Sequence, residues 1–493
     1  MAAHAGPRAL LLSGNGAAKV VGAVDNKAKI GNHAVVLGAS MAGLLAARSL
    51  ADFFDTVTVV ARDPLPDTPT ARRGVPQGRH VHGLLPRGAQ ALDELFPGIL
   101  DELVLDGAEY FDGRDLSRLY NNVGGHPMVR TGSAKSFTAY GATRPFLEDH
   151  VRARVRAIPT VTLLDEHDIV ALTSTPDQHR VTGARLVNRH TGEGMTLAAD
   201  LVVDATGRGA RTPAWLESLG YDRPTEEHVV VRLTYATQML RMAPDALHEL
   251  AFLVGNAPGR PSGLGMLRCE NDTWLFTVFG IAGREPPRDF AAMCEFVEDC
   301  APAHMLAAVR AAERVGEPVQ HRMPSSQWRR YDKMRRFPEG LLVTGDAICS
   351  FNPIYAQGMS VAAVEALAMR DCLSSGTRDL ARRFFRAAAV PIRQAWQLST
   401  NPDLVLPEID GTPPLVARVF NGYVDRVLVA AESDVAIVNQ FFRVTSLLDP
   451  ATRLLRPAVM WRVARANQRR RRHGIEQLAG AGAVRPIVES RTG

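Results

Sequence analysis

Three short stretches of this chain hold residue types and spacings that could do chemistry. The first, Gly38-Ala39-Ser40-Met41-Ala42-Gly43, follows the apolar run Ala34-Val35-Val36-Leu37 and precedes Leu44–Leu50, which is helical in composition. A glycine-rich turn there brings backbone close to a ligand, and the unpaired N–H groups of the helix start favour a pyrophosphate. The second, Asp204-Ala205-Thr206-Gly207-Arg208-Gly209, ends another apolar run in small residues that allow close approach. The third is Gly345-Asp346-Ala347 after Leu341-Leu342-Val343-Thr344, with Pro353, Tyr355, Gly358 and Met359 leading into an alanine-rich helix. A carboxylate at a strand end accepts hydrogen bonds from the hydroxyls of a polyol chain. The helix start offers N–H groups and positive potential to an electron-rich ring. Pyrophosphate, polyol and ring together describe a flavin dinucleotide.

The elements that position these residues read as a βαβ unit, Ala34–Leu37, a helix from Leu44 and Thr56–Val60. Taken alone, the first turn also fits a ligand-free strand-to-helix connection, because Ser40 stands where the middle glycine of the dinucleotide pattern belongs. Ala61 stands where an acid would hold the ribose hydroxyls. Asp63 follows two residues later, and Arg62 could approach a phosphate or stack on adenine. Between Val229 and Phe279 the β-branched and aromatic content predicts strands, assigned to a sheet covering the substrate. Tyr235, Trp274, Phe276 and Phe279 on those strands serve either as core or as pocket wall. His80 and His82 have no further ligand nearby that would complete a metal site. The expectation for them is to shape the flavin's surroundings or bond a loop backbone.

Bulk properties narrow the class. A chain of 493 residues suits two or three domains, and 46% hydrophobic with 22% charged residues is ordinary for a folded protein. The net charge of +5 is carried almost wholly by arginine, so no nucleic-acid partner is read from it. Five scattered cysteines suit reduced thiols and a cytoplasmic location. No apolar run reaches the roughly 20 residues of a membrane span. Beyond Leu373 the pattern turns helical and amphipathic, and could cap a pocket or form a dimer contact. The run Arg469–Arg472 with His473 reads as a solvated tail, or more sharply as a peripheral surface for anionic lipid headgroups. The expected organisation is a flexible leader over 1–33, an FAD-binding part over 34–225, a substrate sheet over 226–325, the second FAD-binding part over 326–378, and a helical region with a basic tail over 379–493.

In order and spacing these stretches resemble the class A FAD-dependent monooxygenases, the family of p-hydroxybenzoate hydroxylase and squalene epoxidase. The likeness is strongest to an actinobacterial branch of polyether epoxidases and polyprenyl-methoxyphenol hydroxylase-like proteins. It rests on Arg73–His82, Asp204–Gly209, Tyr235-Ala236-Thr237, and Phe351–Tyr355 through Gly358-Met359-Ser360, and covers about Ala34 to Leu373. The resemblance implies a Rossmann-type α/β FAD domain with an inserted β-sheet substrate domain and a C-terminal helical region. It implies that Gly38, Ser40 and Gly43 face the pyrophosphate, that Arg144 reaches the nucleotide, and that Asp346 holds the ribityl chain, with Pro353–Gly358 along the flavin ring. The activity implied is epoxidation or aromatic hydroxylation of a small hydrophobic substrate by O2 through a flavin C4a-hydroperoxide, with NADPH or NADH as electron donor and no catalytic side chain. Competing readings are a reductase of polyprenyl-type substrates and a flavin-binding protein without monooxygenase activity. A halogenase is disfavoured, since no two tryptophans lie close enough for that family's Trp-x-Trp signature.

Overall fold

A computed structural model describes residues 29–411 and 413–481. The expected leader falls mostly outside these residues, as do the side chains of Arg472 and His473. The first strand begins at Gly31, inside the span read as leader, and Lys29 Nζ donates to the carbonyls of Ala51 and Phe54, both at 2.9 Å.

Continuous apolar runs that are buried on both faces make parallel strands, and the central sheet follows that rule. Gly31–Leu37 lies at its middle, flanked by Phe54–Val60 and then Val161–Leu164 on one side. Leu201–Asp204 and Leu341–Val343 follow on the other. All pairings are parallel, so the turns after these strands gather at one carboxyl edge. The register sets Leu37 opposite both Val60 and Asp204, and Asp204 opposite Val343. The three stretches singled out by sequence therefore leave the sheet side by side. Helices Met41–Ala51 and Gly358–Ser374 pack on it, and Ser49 Oγ donates to Ala366 O across 317 residues at 2.8 Å.

A second, mostly antiparallel sheet of seven strands runs in the order Glu313–Met323, Leu233–Arg241, Thr273–Gly280, Ser262–Arg268, Ala251–Val254, Leu119–Val123 and His126–Pro127. Its last two strands come from within the span 34–225. Val229 does not join it: Glu226–Val229 pairs with Ser326–Arg329 in a separate small sheet. Along Leu233–Arg241 alternate residues divide between two cores. Leu233 and Tyr235 join the main core, whereas Ala236 and Leu240 join a satellite core with helices Phe290–Phe296 and Ala303–Ala311.

From Leu380 onward the described residues are largely helical. Leu380–Asp403 packs on Gly358–Ser374, while Leu415–Ala431, Val435–Thr445 and Pro457–Ala481 form a further cluster. Arg469–Arg471 lie in the last of these helices rather than in an irregular tail, with Arg470 paired to Glu432 at 2.9 Å. No helix among the described residues is long and apolar enough to cross a membrane. All five cysteines are unpaired, and Cys269, Cys294 and Cys349 are buried.

Candidate functional site

The site is built at the carboxyl edge of the parallel sheet. Gly38 has φ of +108°, and a Cβ there would stand 2.5 Å from Ala205 O. At Gly43 a Cβ would meet Gly38 O at 1.8 Å, so the first helix packs on the turn only because both residues lack side chains. Gly345, at φ +66°, would place a Cβ 2.6 Å from that of Ala42. The Gly-Asp turn thus touches the dinucleotide-type turn directly. Thr344 N donates to Asp204 O at 2.9 Å, which ties in the middle stretch.

Ser40 begins the helix Met41–Ala51 without capping it through its side chain. Its hydroxyl faces a buried charge network instead. Arg144 Nη2 donates to Ser40 Oγ (3.0 Å), Ser40 Oγ donates to Glu148 Oε2 (3.3 Å), and Arg72 binds both Ala39 O (2.9 Å) and Glu148. Arg152 approaches the same carboxylate at 3.7 Å. Thr143 and Pro145 start the helix Arg144–Arg156, the threonine hydroxyl accepting from Phe146 N at 3.3 Å, and this sets Arg144 and Glu148 one turn apart on one face. Three guanidinium groups around one carboxylate leave net positive charge beside the helix N-terminus.

Asp346 is half-buried in the short 3-10 turn Gly345–Ala347, and no hydrogen-bond or ion-pair partner for its carboxylate exists among the described residues. Burial pushes its pKa above the usual carboxylate range, with Arg144 and Arg208 opposing that shift. Arg208 is itself fixed by Ser325 O (2.6 Å), Ser325 Oγ (2.8 Å) and Ser350 Oγ. A Cβ on Gly358 would lie 3.8 Å from Asp346 Oδ1, placing the start of the helix Gly358–Ser374 against the carboxylate. Glu365 from that helix accepts Gly345 N (2.7 Å) and Thr344 Oγ1 (2.8 Å). Its burial raises its pKa to about 7.

The loop from Asn352 is held from below. Asn352 Nδ2 donates to both carboxylate oxygens of Asp403 at 3.2 Å, and the Tyr355 hydroxyl donates to Asp403 Oδ1 at 2.8 Å. Pro353 opens a single 3-10 turn, Ala356 takes a left-handed conformation, and Met359 is buried.

Across from Asp346 stands the inner face of the seven-stranded sheet. Tyr235 lies close enough to Asp346 for that carboxylate to add to the upward shift that burial gives the phenol. His321 is its partner on the neighbouring strand, with ring centroids 5.5 Å apart. His80 stacks edge-on against Tyr235 at 4.4 Å and shares a hydrogen bond with Thr237 Oγ1 at 2.7 Å. Burial drives the pKa of His80 down to about 3 and that of His82 to about 4, His82 sharing a bond with His80 O at 2.9 Å.

The structure therefore brings together Gly38, Ser40, Gly43, Arg144, Asp346, Gly358 and Tyr235, with Pro353, Tyr355 and Met359 in the segment that borders them. Arg62 stands apart, 70% exposed and paired with Asp168 at 3.1 Å. Ala61 is buried at the strand end, and the Asp63 carboxylate is engaged by Gly74 N. Of the two roles open to them, Trp274 and Phe276 take the core one, in the satellite cluster on the sheet's far face, whereas on that strand Thr277 and Phe279 share the inner face with Tyr235. Sequence reasoning missed Arg72, Glu148 and Asp403. Their sole signal is charge in otherwise helical or loop segments, and the partners are distant in the chain.

No protein-family model matches the chain. It is 39% identical over 439 residues to Protein Rv3254 of Mycobacterium tuberculosis, an alignment spanning 85% of this chain and 91% of that protein. Among solved structures it is similar to PqsL, a probable FAD-dependent monooxygenase from Pseudomonas aeruginosa, with TM-score 0.57 and 17% identity over 80% of this chain and all of that one. A flavoprotein/dehydrogenase from Cytophaga hutchinsonii gives 0.61 and 15% over 89% and 98%. The flavin-dependent halogenase CmlS gives 0.56 and 17% over 82% and 73%. The chain belongs to the family of Protein Rv3254, on the fold that it shares with these flavoproteins.

Proposed function

We propose that this chain is an FAD-dependent oxidoreductase, and specifically a monooxygenase that inserts one oxygen atom from O2 into a small hydrophobic molecule. The observation that carries this reading is Asp346: a carboxylate with no hydrogen-bond or ion-pair partner among the described residues, flanked by Arg144 and Arg208, one residue from the point where Gly345 meets the first helix. A half-buried carboxylate of that kind fits the hydroxyls of a ribityl chain. Gly38, Ser40 and Gly43 with the helix start at Met41 suit a pyrophosphate, and Arg144 supplies a cation beside it. Pro353–Met359 suits one face of the flavin ring. Among the described residues no group is assigned the place of the ribose-binding acid absent at Ala61, and Arg62 has no part in this assignment.

Bound FAD, reduced by NADPH or NADH, would supply the oxygen activation that no side chain here can. The protein's own share is binding, orientation and exclusion of water. Low-pKa His80 stays neutral beside Tyr235, and His82 stays neutral near Arg144, so neither adds positive charge there. The similar proteins support the flavin half of this reading; the choice of alkene epoxidation or aromatic hydroxylation rests on the resemblance of the sequence motifs. Releasing the cofactor by heat and identifying it by chromatography tests the first half. FMN alone, or no cofactor after reconstitution with FAD, overturns it. Oxygen consumption with NADPH or NADH across a panel of phenols and polyenes tests the second, and reduction of a polyprenyl double bond without oxygen uptake would favour a reductase.

A further inference from the structure

The hydrogen-bond pattern behind His80 fixes more than its position. Thr237 and Thr277 face each other directly across paired strands, and their hydroxyl oxygens are 2.6 Å apart. Thr237 Oγ1 is also 2.7 Å from His80 Nδ1, while Thr277 Oγ1 receives Val81 N at 3.4 Å. Each hydroxyl carries one proton to donate, and a backbone N–H can only donate. If Thr277 donates to Thr237, then Thr237 donates to His80 Nδ1, and both hydroxyl protons are placed. The opposite order has His80 Nδ1–H donating to Thr237 and Thr237 donating to Thr277. The proton of the buried Thr277 hydroxyl is then left with no acceptor among the described residues. Leaving a buried donor unpaired is the costlier arrangement.

The geometry points to the first order, and we propose that the Thr277–Thr237 relay holds His80 as a neutral Nε2–H donor, aimed at an acceptor oxygen of the ligand bound over Asp346. The ligand half of this inference rests on the proposed flavin site; the tautomer half does not. His80 is 3% exposed, and its Nε2 has no hydrogen-bond partner among the described residues. Its ring lies edge-on to Tyr235, the residue whose phenol senses Asp346. A ring whose pKa lies near 3 remains a neutral donor at any physiological pH, so it can offer a hydrogen bond without adding a charge. The acceptor chemistry is a carbonyl, hydroxyl or phenolate oxygen, and two sources can present it: the flavin ring or the substrate.

Nitrogen NMR of histidine-labelled full-length protein, with His80→Gln to assign the resonance, reads the tautomer. Expected at neutral pH is a protonated Nε2 and an unprotonated Nδ1 already in FAD-free protein. Thr237→Val should convert this single tautomer into an exchanging mixture. A protonated Nδ1 in the parent chain, or an imidazolium, overturns the proposal. Adding FAD shifts the Nε2 proton if the flavin is the acceptor; adding phenol to FAD-loaded protein shifts it if a substrate oxygen is. His80→Phe should then weaken binding of whichever probe causes the shift by roughly threefold to tenfold. No shift with either probe overturns the ligand half. A chain that binds no FAD sinks the flavin reading while the tautomer result stands.

Discussion

Gly345 and Ala42 touch so closely that a Cβ on the glycine would lie 2.6 Å from the Cβ of the alanine. This contact joins the turn bearing Asp346 to the start of the first helix, and the glycine's φ of +66° adds a second reason for its identity. Gly345→Ala should cost about 1–2 kcal/mol for the left-handed backbone alone, with a further loss from the clash. The expected outcome is a lower thermal midpoint together with weaker FAD binding. An unaffected midpoint would mean that the two turns can separate at no cost.

Removing the carboxylate of Asp346 separates binding from folding. Asp346→Ala should weaken FAD affinity roughly tenfold to a hundredfold, since hydrogen bonds to a charged acceptor contribute about 1.5–3 kcal/mol. The fold should persist by circular dichroism, because this carboxylate has no hydrogen-bond or ion-pair partner among the described residues. Titration of apoprotein with FAD measures the effect; unchanged affinity would place the ribityl chain elsewhere.

Glu148 balances Arg72, Arg144 and Arg152, each with a guanidinium within 3.7 Å or less of its carboxylate. Glu148→Ala leaves the buried cations Arg72 and Arg144 without their carboxylate, Arg152 keeping Asp149, and breaking a buried pair in this way typically costs about 3–5 kcal/mol. A large fall in the thermal midpoint is expected, partly recovered by high salt. A fall of less than about 1 kcal/mol would show that water reaches these groups.

Glu365 gives a pH dependence with a definite sign. Its folded pKa is raised by burial to about 7, with Asp346 adding to the shift and the bonds from Gly345 and Thr344 opposing it, against an ordinary value of 4.5. Between those values the folded chain holds a proton that the unfolded chain has released, so the group lowers stability as pH rises from 4.5 to about 7 and has no further effect above. Glu365→Gln should therefore gain stability over the parent chain progressively through that window, reaching at most roughly 3 kcal/mol on the alkaline side. Thermal midpoints of both chains across a pH series check this. A constant difference would show that Glu365 titrates normally.

Trp274 and Tyr235 offer a paired control for the two faces of the seven-stranded sheet. Trp274→Ala empties a buried site in the satellite core and should cost about 3–5 kcal/mol while leaving FAD affinity unchanged. Tyr235→Phe should leave stability nearly unchanged and alter the absorbance of bound flavin. Reversed outcomes would exchange the roles of the two faces.

The parallel sheet and its three turns were legible because each is a strand, a turn and a helix start within a dozen residues, where small-residue chemistry speaks for itself. Gly38 and Asp346 were singled out in this way as candidates. The charge network was not, since Arg72 meets Glu148 across 76 residues and Ser40 meets it across 108. Helix periodicity marks Glu148 as merely one polar residue among several. The position of Arg62 next to the expected ribose acid says nothing of Asp168, the residue it pairs with in the structure. The run from Thr273 to Gly280 is buried on both faces, so the strand was evident but not which of its residues would meet the main core. Leu119–Val123 gave no hint that it would cross to a sheet built chiefly from residues beyond 230.

The bond between Ser49 and Ala366 sets a timetable for the newborn chain. The central strand Gly31–Leu37 emerges from the ribosome well before its neighbour Leu201–Asp204, and the edge strand Leu341–Val343 follows later still. At about 5–20 residues per second, the span of 317 residues between Ser49 and Ala366 takes on the order of tens of seconds to synthesise. Through that interval the apolar faces of Ala34–Leu37 and Leu44–Leu50 have no permanent cover. Truncation anywhere before Leu341 would release a chain with an open parallel sheet edge, a natural target for holding chaperones and proteases.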